Sequence, residues 1–250
     1  MAYRRLLRPA PRMRRTRQEL PRKDPNELVW LFDLDNTLHD TSHKIFAQIS
    51  VCMTRAVMQT LGVDEATAHE LRQRYWARYG ATMIGLAKHH GVNAQEFLDI
   101  SHDFDIKPLL KAEKGIREFM RRFPGRKILV TNAPFRYARS VLKHLGILHL
   151  FDAIWSVEHM KILGQYRPKP SQALIRYILA SEGIDPGRCV LVEDTLSNLK
   201  SVRSLGMRTV HIFHPGTPFA HTRKGRPQYV DLRTTRVSDL LLGRKSLRSR

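Results

Sequence analysis

The sequence predicts an α/β fold, a parallel sheet flanked by helices and interrupted by an all-helical insertion. Three observations predict it. The near-continuous apolar run at 28–32 reads as a strand buried on both faces. Residues 43–106 place apolar side chains at helical spacing, with no strand pattern among them. From about residue 112 onward helical and strand patterns alternate, as they do in βαβ units. The 250 residues suffice for one such domain with a helical insert, or for two small domains, and a 42% hydrophobic composition makes a packed core feasible.

The first strand ends in Asp33-Leu34-Asp35-Asn36-Thr37. In the insertion, Ile45, Ile49, Cys52, Met53, Ala56 and Val57 mark the inner face of a helix. Leu61-Gly62-Val63-Asp64 reads as a helix stop followed by a new N-cap at Asp64. Leu71, Tyr75, Trp76 and Tyr79 continue a second helix, Gly80 ends it, and Asn93 caps a later one. Beyond the insertion, a helix at 113–122 leads to a strand at 127–131, and a helix at 135–145 to a strand at 152–156. A helix at 171–182 precedes a strand at 189–194, and a helix at 195–205 precedes a strand at 208–212. A short strand near Tyr229-Val230 and a helix from Ser238 close the domain.

The net charge of +20 is unevenly placed. Residues 1–23 hold nine Lys/Arg against one acid, and 243–250 hold four bases and none. With Pro9, Pro11 and Pro21 and little periodicity, 1–27 reads as a disordered basic arm and 243–250 as a basic tail. Such an arm offers weak, salt-sensitive contact with nucleic acid or anionic lipid. Its Arg-rich, acid-poor character also resembles a transit peptide, and Met13 is an alternative start. Cys52 and Cys189 are the only cysteines, so no disulfide framework is expected and a reducing, cytoplasmic setting fits. No apolar run approaches the roughly 20 residues of a membrane span, and none has the core of a secretory signal.

Several strands end in polar residues suited to one task. Strand one ends in Asp33 and Asp35, the next in Thr131-Asn132, and a later one in Glu193-Asp194. Between the last two, Arg167-Pro168-Lys169-Pro170 holds a cation on a loop stiffened by prolines. Parallel strands deliver their carboxyl ends to one edge, where open α/β sheets bind ligands. Buried carboxylate pairs need a cation, so acids at two strand ends suit Mg²⁺. A Thr hydroxyl and a Lys ammonium suit phosphate oxygens.

These four elements, in this order, resemble the motifs of the haloacid dehalogenase superfamily. Asp33-Leu34-Asp35-Asn36-Thr37 matches the first motif, Thr131 the second, Lys169 the third and Glu193-Asp194 the fourth. The resemblance spans roughly 28–240. It implies a Rossmann-like three-layer core at 28–42 and 107–242 with an α-helical cap inserted at 43–106. The Asp33–Leu38 opening, Tyr79-Gly80-Ala81-Thr82 and the stretch from Val192 to Asn198 look similar to pyrimidine 5′-nucleotidases.

The chemistry and the resemblance together imply roles. Asp33 is expected as the nucleophile that forms an aspartyl-phosphate, and Asp35 as the acid and then the base. A second Asp favours phosphoryl transfer over dehalogenation, since a halide leaving group needs no acid. Mg²⁺ is expected on Asp33, the backbone carbonyl of Asp35 and Asp194, with Glu193 acting through water. Thr131, the Asn132 backbone and Lys169 are expected to hold the phosphoryl oxygens, with Lys169 lowering the pKa of Asp33. The expected substrate is a pyrimidine nucleoside 5′-monophosphate. A phosphatase for a sugar phosphate or phosphoglycolate, or a phosphomutase, uses the same core. A nucleic-acid-binding protein on this scaffold is the reading from another class.

Other residues have plainer readings. Trp76 or Tyr79 could stack on a nucleobase, although aromatics at helical spacing more often fill a core. His89, His90 and His102 read as solvated helix ends rather than a metal site. His39 and His43 read as hinge residues, and Arg136 as a surface residue. Asn198, four residues after Asp194, either orients the metal site or lies on the surface.

Overall fold

The computed structural model describes residues 28–214 and 225–241, so the expected basic arm and tail lie outside the described residues. The chain runs β1 (Val29–Phe32), α1 (Ile45–Leu61), α2 (Glu65–Tyr79), α3 (Thr82–His90), α4 (Ala94–Ser101) and α5 (Ile116–Arg122). It continues through β2 (Arg126–Val130), α6 (Phe135–His144), β3 (Ala153–Trp155), β4 (Lys161–Ile162) and β5 (Gln165–Tyr166). It closes with α7 (Gln172–Glu182), β6 (Cys189–Glu193), α8 (Leu196–Arg203), β7 (Arg208–Ile212) and β8 (Leu232–Thr234).

Among the described residues, six strands form one parallel sheet in the order β3-β2-β1-β6-β7-β8. All four β1 residues are buried, as a central strand covered on both faces requires. Trp30 and Phe32 point to one face, where they pack with Phe119 and Met120 of α5 and Val141 and Leu142 of α6. Val29 and Leu31 point to the other, against Ile175 and Ile178 of α7 and Leu199 of α8. The result is the three-layer α/β architecture that the alternating pattern predicts. Cys189 is one of the buried hydrophobes of β6, and Cys52 is buried in α1.

The helices α1 to α4 pack around their own core, which includes Val57, Leu71, Tyr75, Leu86 and Phe97. Their ends follow local chemistry. Gly62 and Gly80 sit in the left-handed region at φ 66° and 74° and close α1 and α2. The Asp64 carboxylate accepts from the Thr67 N–H, and Asn93 caps α4 through the N–H groups of Gln95 and Glu96. Gly85 lets α3 approach α2 closely, because a Cβ there would overlap the ring and Cβ of buried Tyr75. A Gly85→Ala substitution gains about 1 kcal/mol of helix propensity. Overpacking against a buried ring costs about 1–3 kcal/mol. A net loss of stability is expected, visible as a lower urea midpoint; an unchanged or higher midpoint would contradict this packing.

Two local expectations are corrected. α5 begins at Ile116 rather than 113, because Gly115 at φ 82° interrupts the helix and Glu113 instead binds Arg236 and the Ser238 N–H. The last strand is 232–234 rather than Tyr229-Val230. The register pairs Leu232 with Val210, while Val230 packs beneath the sheet and the Tyr229 carbonyl accepts from Thr209. The helix expected from Ser238 opens with a 3-10 turn at Val237–Asp239 and is helical at Leu240 and Leu241, the last described residues. The β4-β5 hairpin, two residues per strand, is an element too short for a periodicity to reveal.

Candidate active site

β1 lies between β2 and β6, and Phe32 pairs in register with both Leu129 and Val192. The segments following the three strands therefore emerge at one level, and the Asp33 N–H donates to the Val192 carbonyl at 2.9 Å. This register gathers Asp33, Asp35, Thr131, Asn132, Lys169, Glu193 and Asp194 around one cavity. Every sequence-predicted site residue is at this place.

Lys169 is at the centre. Its buried ammonium donates to Asp33 Oδ1 at 2.6 Å and to Glu193 Oε2 at 2.7 Å. Its loop is locked to the loop after β2 by a reciprocal pair. Asn132 Nδ2 donates to the Lys169 carbonyl at 3.1 Å, and the Lys169 N–H donates to Asn132 Oδ1 at 3.0 Å. The side chain of Asn132 thus positions Lys169. The Thr131 side chain is buried, and its Oγ1 accepts from the Ala133 N–H at 3.0 Å.

Burial and the charge of Glu193 push the Asp33 carboxyl up to about 7, although Lys169 pulls the other way. Lys169 does lower the Asp33 pKa as expected, but burial first and the Glu193 charge second outweigh it. Burial, Glu193 and Asp33 push Asp194 up to about 9. Burial alone would lower the pKa of Lys169, but Asp33 and Glu193 raise it above the ordinary lysine value. Three carboxylates against one ammonium leave an excess of negative charge. Ligand oxygens of Asp33, Glu193 and Asp194 lie within 4.8 Å of one another. An all-oxygen donor set with surplus negative charge fits a hard divalent cation.

Asp35 differs from Asp33 in its surroundings. Its Oδ1 accepts from Thr41 Oγ1 at 2.9 Å and Tyr137 OH at 2.8 Å, and His39 Nε2 lies 3.2 Å away. Burial would raise its pKa, but these hydrogen bonds hold it below the usual carboxylate value. Two carboxylates one residue apart are thus driven in opposite directions, Asp33 up and Asp35 down, the reverse of the order that a nucleophile and an acid need; a cation on Asp33 would return it to the ionised form.

The cavity has a volume of about 490 Å³, and helices α1 to α4 supply its outer wall. Asn198 is buried and lines it, which settles its placement in favour of the site over the surface. Trp76 lines it, whereas the Tyr79 hydroxyl meets His89 at 2.5 Å and Tyr75 is buried among the helices. His89 and His90 are exposed as expected. His102 is not a solvated helix end; it lines the cavity, and burial pushes its pKa down to about 4. Arg136 is exposed and meets Asp99 of α4 at 3.2 Å, and His43 is exposed. Sequence reasoning missed Tyr137 and the contact of His39 with Asp35. No helix among the described residues is long and apolar enough to cross a membrane.

Residues 30–212 match the family described as haloacid dehalogenase-like hydrolase. The chain is 27% identical over 207 residues to phosphate metabolism protein 8 of Saccharomyces cerevisiae, covering 78% of this chain and 64% of that protein. It is 25% identical over 206 residues to a 5′-nucleotidase of Pseudomonas aeruginosa, covering 73% of this chain and 80% of that one. A HAD phosphatase from Thermococcus onnurineus shares the fold with a TM-score of 0.57 at 21% identity, covering 86% of this chain and 98% of that chain. With most of its length matched and the motif residues converging on one sheet edge, the chain belongs to the haloacid dehalogenase-like hydrolases and is an enzyme of the phosphomonoester-cleaving kind.

Proposed function

We propose that the protein is a Mg²⁺-dependent phosphomonoesterase that prefers a nucleoside 5′-monophosphate, with α1 to α4 as its cap. The observation that carries the substrate reading is the cavity's outer wall. Phe46, Ile49, Met53, Trp76 and Phe97 line it, and Trp76 is 58% exposed. A flat, uncharged base gains about 1–3 kcal/mol from stacking on such a ring. Among the described residues this wall carries no Lys or Arg. A substrate with a carboxylate besides its phosphate, such as phosphoglycolate, would lose hydration there without a counter-charge. A 5′-nucleotidase among the relatives favours the same reading.

In this mechanism an Asp33 oxygen attacks phosphorus, the bond to the leaving oxygen breaks, and Asp35 gives that oxygen its proton. Asp35 then takes a proton from the water that attacks the aspartyl-phosphate, releasing phosphate and restoring Asp33. Lys169 uses two of its three N–H donors on Asp33 and Glu193, which leaves one for a phosphoryl oxygen. The Thr131 hydroxyl and the Asn132 N–H complete the cradle. Mg²⁺ held by Asp33, Asp194, the Asp35 carbonyl and, through water, Glu193 would screen the repulsion between nucleophile and phosphate.

Phosphate release from UMP, CMP, AMP, phosphoglycolate and fructose 1-phosphate, each with Mg²⁺ or EDTA, tests this reading. Metal-dependent release led by the nucleotides is expected. Trp76→Ala is expected to raise the nucleotide KM by about 5- to 160-fold, the equivalent of that stacking energy, with kcat changed far less. A preference for phosphoglycolate, or an unchanged KM in the variant, would discard the nucleotide reading.

A further inference from the structure

The phenol of Tyr137 makes a contact that the proposed mechanism does not use. Tyr137 is on the inward face of α6, only 3% exposed, and its hydroxyl donates to Asp35 Oδ1 across 102 positions of sequence. Thr41 and His39 converge on the same oxygen. No donor among the described residues engages Oδ2.

We propose that Tyr137 is a positioning residue for Asp35, holding Oδ1 so that Oδ2 alone is presented to the leaving oxygen and then to water. The inference rests on the reading of Asp35 as acid and base, and deepens it. A free carboxylate turns about its Cβ–Cγ bond and offers either oxygen. Two hydroxyl donors and the His39 ring against one oxygen oppose that rotation. His39 and Thr41 belong to the same segment as Asp35 and move with it. Tyr137 is the donor that ties Asp35 to α6, the helix that directly follows Thr131 and Asn132. The distance between the proton carrier and the phosphate cradle is thereby fixed by a rigid element of the core. The ring is itself held, with His102 5.4 Å away in an edge contact and Phe104 at 6.4 Å. Misplacement of a catalytic group by about 1 Å can cost about a hundredfold in rate.

Leaving-group dependence distinguishes positioning of the acid from support of the fold. The ratio kcat/KM reports steps up to departure of the leaving group, before the shared aspartyl-phosphate is hydrolysed. A nucleotide leaves as an alkoxide and needs the proton; p-nitrophenolate leaves without it. Tyr137→Phe keeps the buried ring and removes only the hydroxyl. It is expected to lower kcat/KM for UMP about 10- to 100-fold and for p-nitrophenyl phosphate by no more than about threefold. Asp35→Asn, measured beside it, is expected to show the same pattern with larger losses. Equal losses on both substrates for Tyr137→Phe, or none on either, would overturn the positioning role. If Asp35→Asn shows no leaving-group dependence, the acid assignment fails and the role of Tyr137 falls with it. If the wild type prefers phosphoglycolate, only the substrate reading fails, and the same comparison is made with that alkyl phosphate.

Discussion

Replacing Asp33 by Asn is expected to cut phosphate release at least about a thousandfold and, in EDTA at pH 8, to raise the melting temperature. The first effect comes from removing the nucleophile, since an amide at that position cannot form the acyl-phosphate. The second comes from electrostatics. In the folded protein the Asp33 carboxyl is pushed from 3.8 to about 7 by burial and by Glu193, with Lys169 opposing. An acid whose pKa rises on folding is more easily ionised in the unfolded chain, so at pH 8 its charge opposes folding. Asn removes that charge, and its side-chain oxygen can still accept from Lys169. Lys169 then faces Glu193 one to one, at 2.7 Å. Weakening the Lys169 bond offsets part of the gain, and on the order of 1 kcal/mol remains, a few degrees of melting temperature. Activity assays and thermal melts on one preparation check both halves. A variant that is inactive and also less stable in EDTA would show that Asp33 contributes to the fold, and would weaken the picture of a site strained by its own charge.

Much of this site was legible because it is written in strand ends. The run at 28–32 reads as a strand buried on both faces, and parallel strands deliver the residues at their carboxyl ends to one edge. Asp33, Thr131 and Glu193 therefore converge through register alone, with β1 between β2 and β6. Lys169 was legible for a related reason, as a lone cation between two prolines. Its sharing between Asp33 and Glu193 was not, because that depends on a distance across 136 positions of sequence. Tyr137 escaped for a different reason. With Ala138, Val141 and Leu142 it forms the inner face of α6, and that spacing reads as core, which it is. Only its hydroxyl is functional, and no periodicity reports where one atom of a core residue points. His102 belongs with it. A His after Ser101 at a helix end looks solvated until Tyr137 of α6 packs against its ring. The outer wall was half legible: Tyr75, Trp76 and Tyr79 are adjacent aromatics, and helix rotation alone sends Tyr75 to the core and Trp76 to the cavity.

Without metal, the protein is expected to lose stability as pH rises from 6.5 to 9, and Mg²⁺ is expected to restore more stability at pH 9 than at pH 6.5. Asp33 and Asp194 have folded pKa values of about 7 and about 9 against 3.8 for an ordinary Asp, both raised by burial and by the Glu193 charge, with the Asp33 charge adding to the shift of Asp194. Between the unfolded and folded values the native state holds protons that the unfolded chain has released. Stability therefore falls with pH across that span, by up to about 1.4 kcal/mol per pH unit for each group. Below pH 6.5 the trend is masked. His102, pushed down to about 4 by burial, is neutral in the fold and charged in the unfolded chain, which makes stability rise with pH up to about 6.5. His89, His159, His211 and His214 are also lowered and act in the same direction over the same range. Asp35, whose pKa is lowered, has delivered its stabilisation before this window opens. The buried Cys189 thiol, raised from 9.0, adds to the fall from about pH 8 upward, so the interval from 6.5 to 8 isolates the acidic cluster. A divalent cation binds the ionised cluster and not the protonated one, so its stabilisation of the native state must grow as the cluster loses protons. Urea unfolding at pH 6.5, 8 and 9, in EDTA and in Mg²⁺, measures both slopes. A stability in EDTA that is flat or rises over that interval would mean Asp33 and Asp194 do not hold their protons in the metal-free fold. Mg²⁺ increments of equal size at every pH would place the cation elsewhere than on Asp33, Glu193 and Asp194.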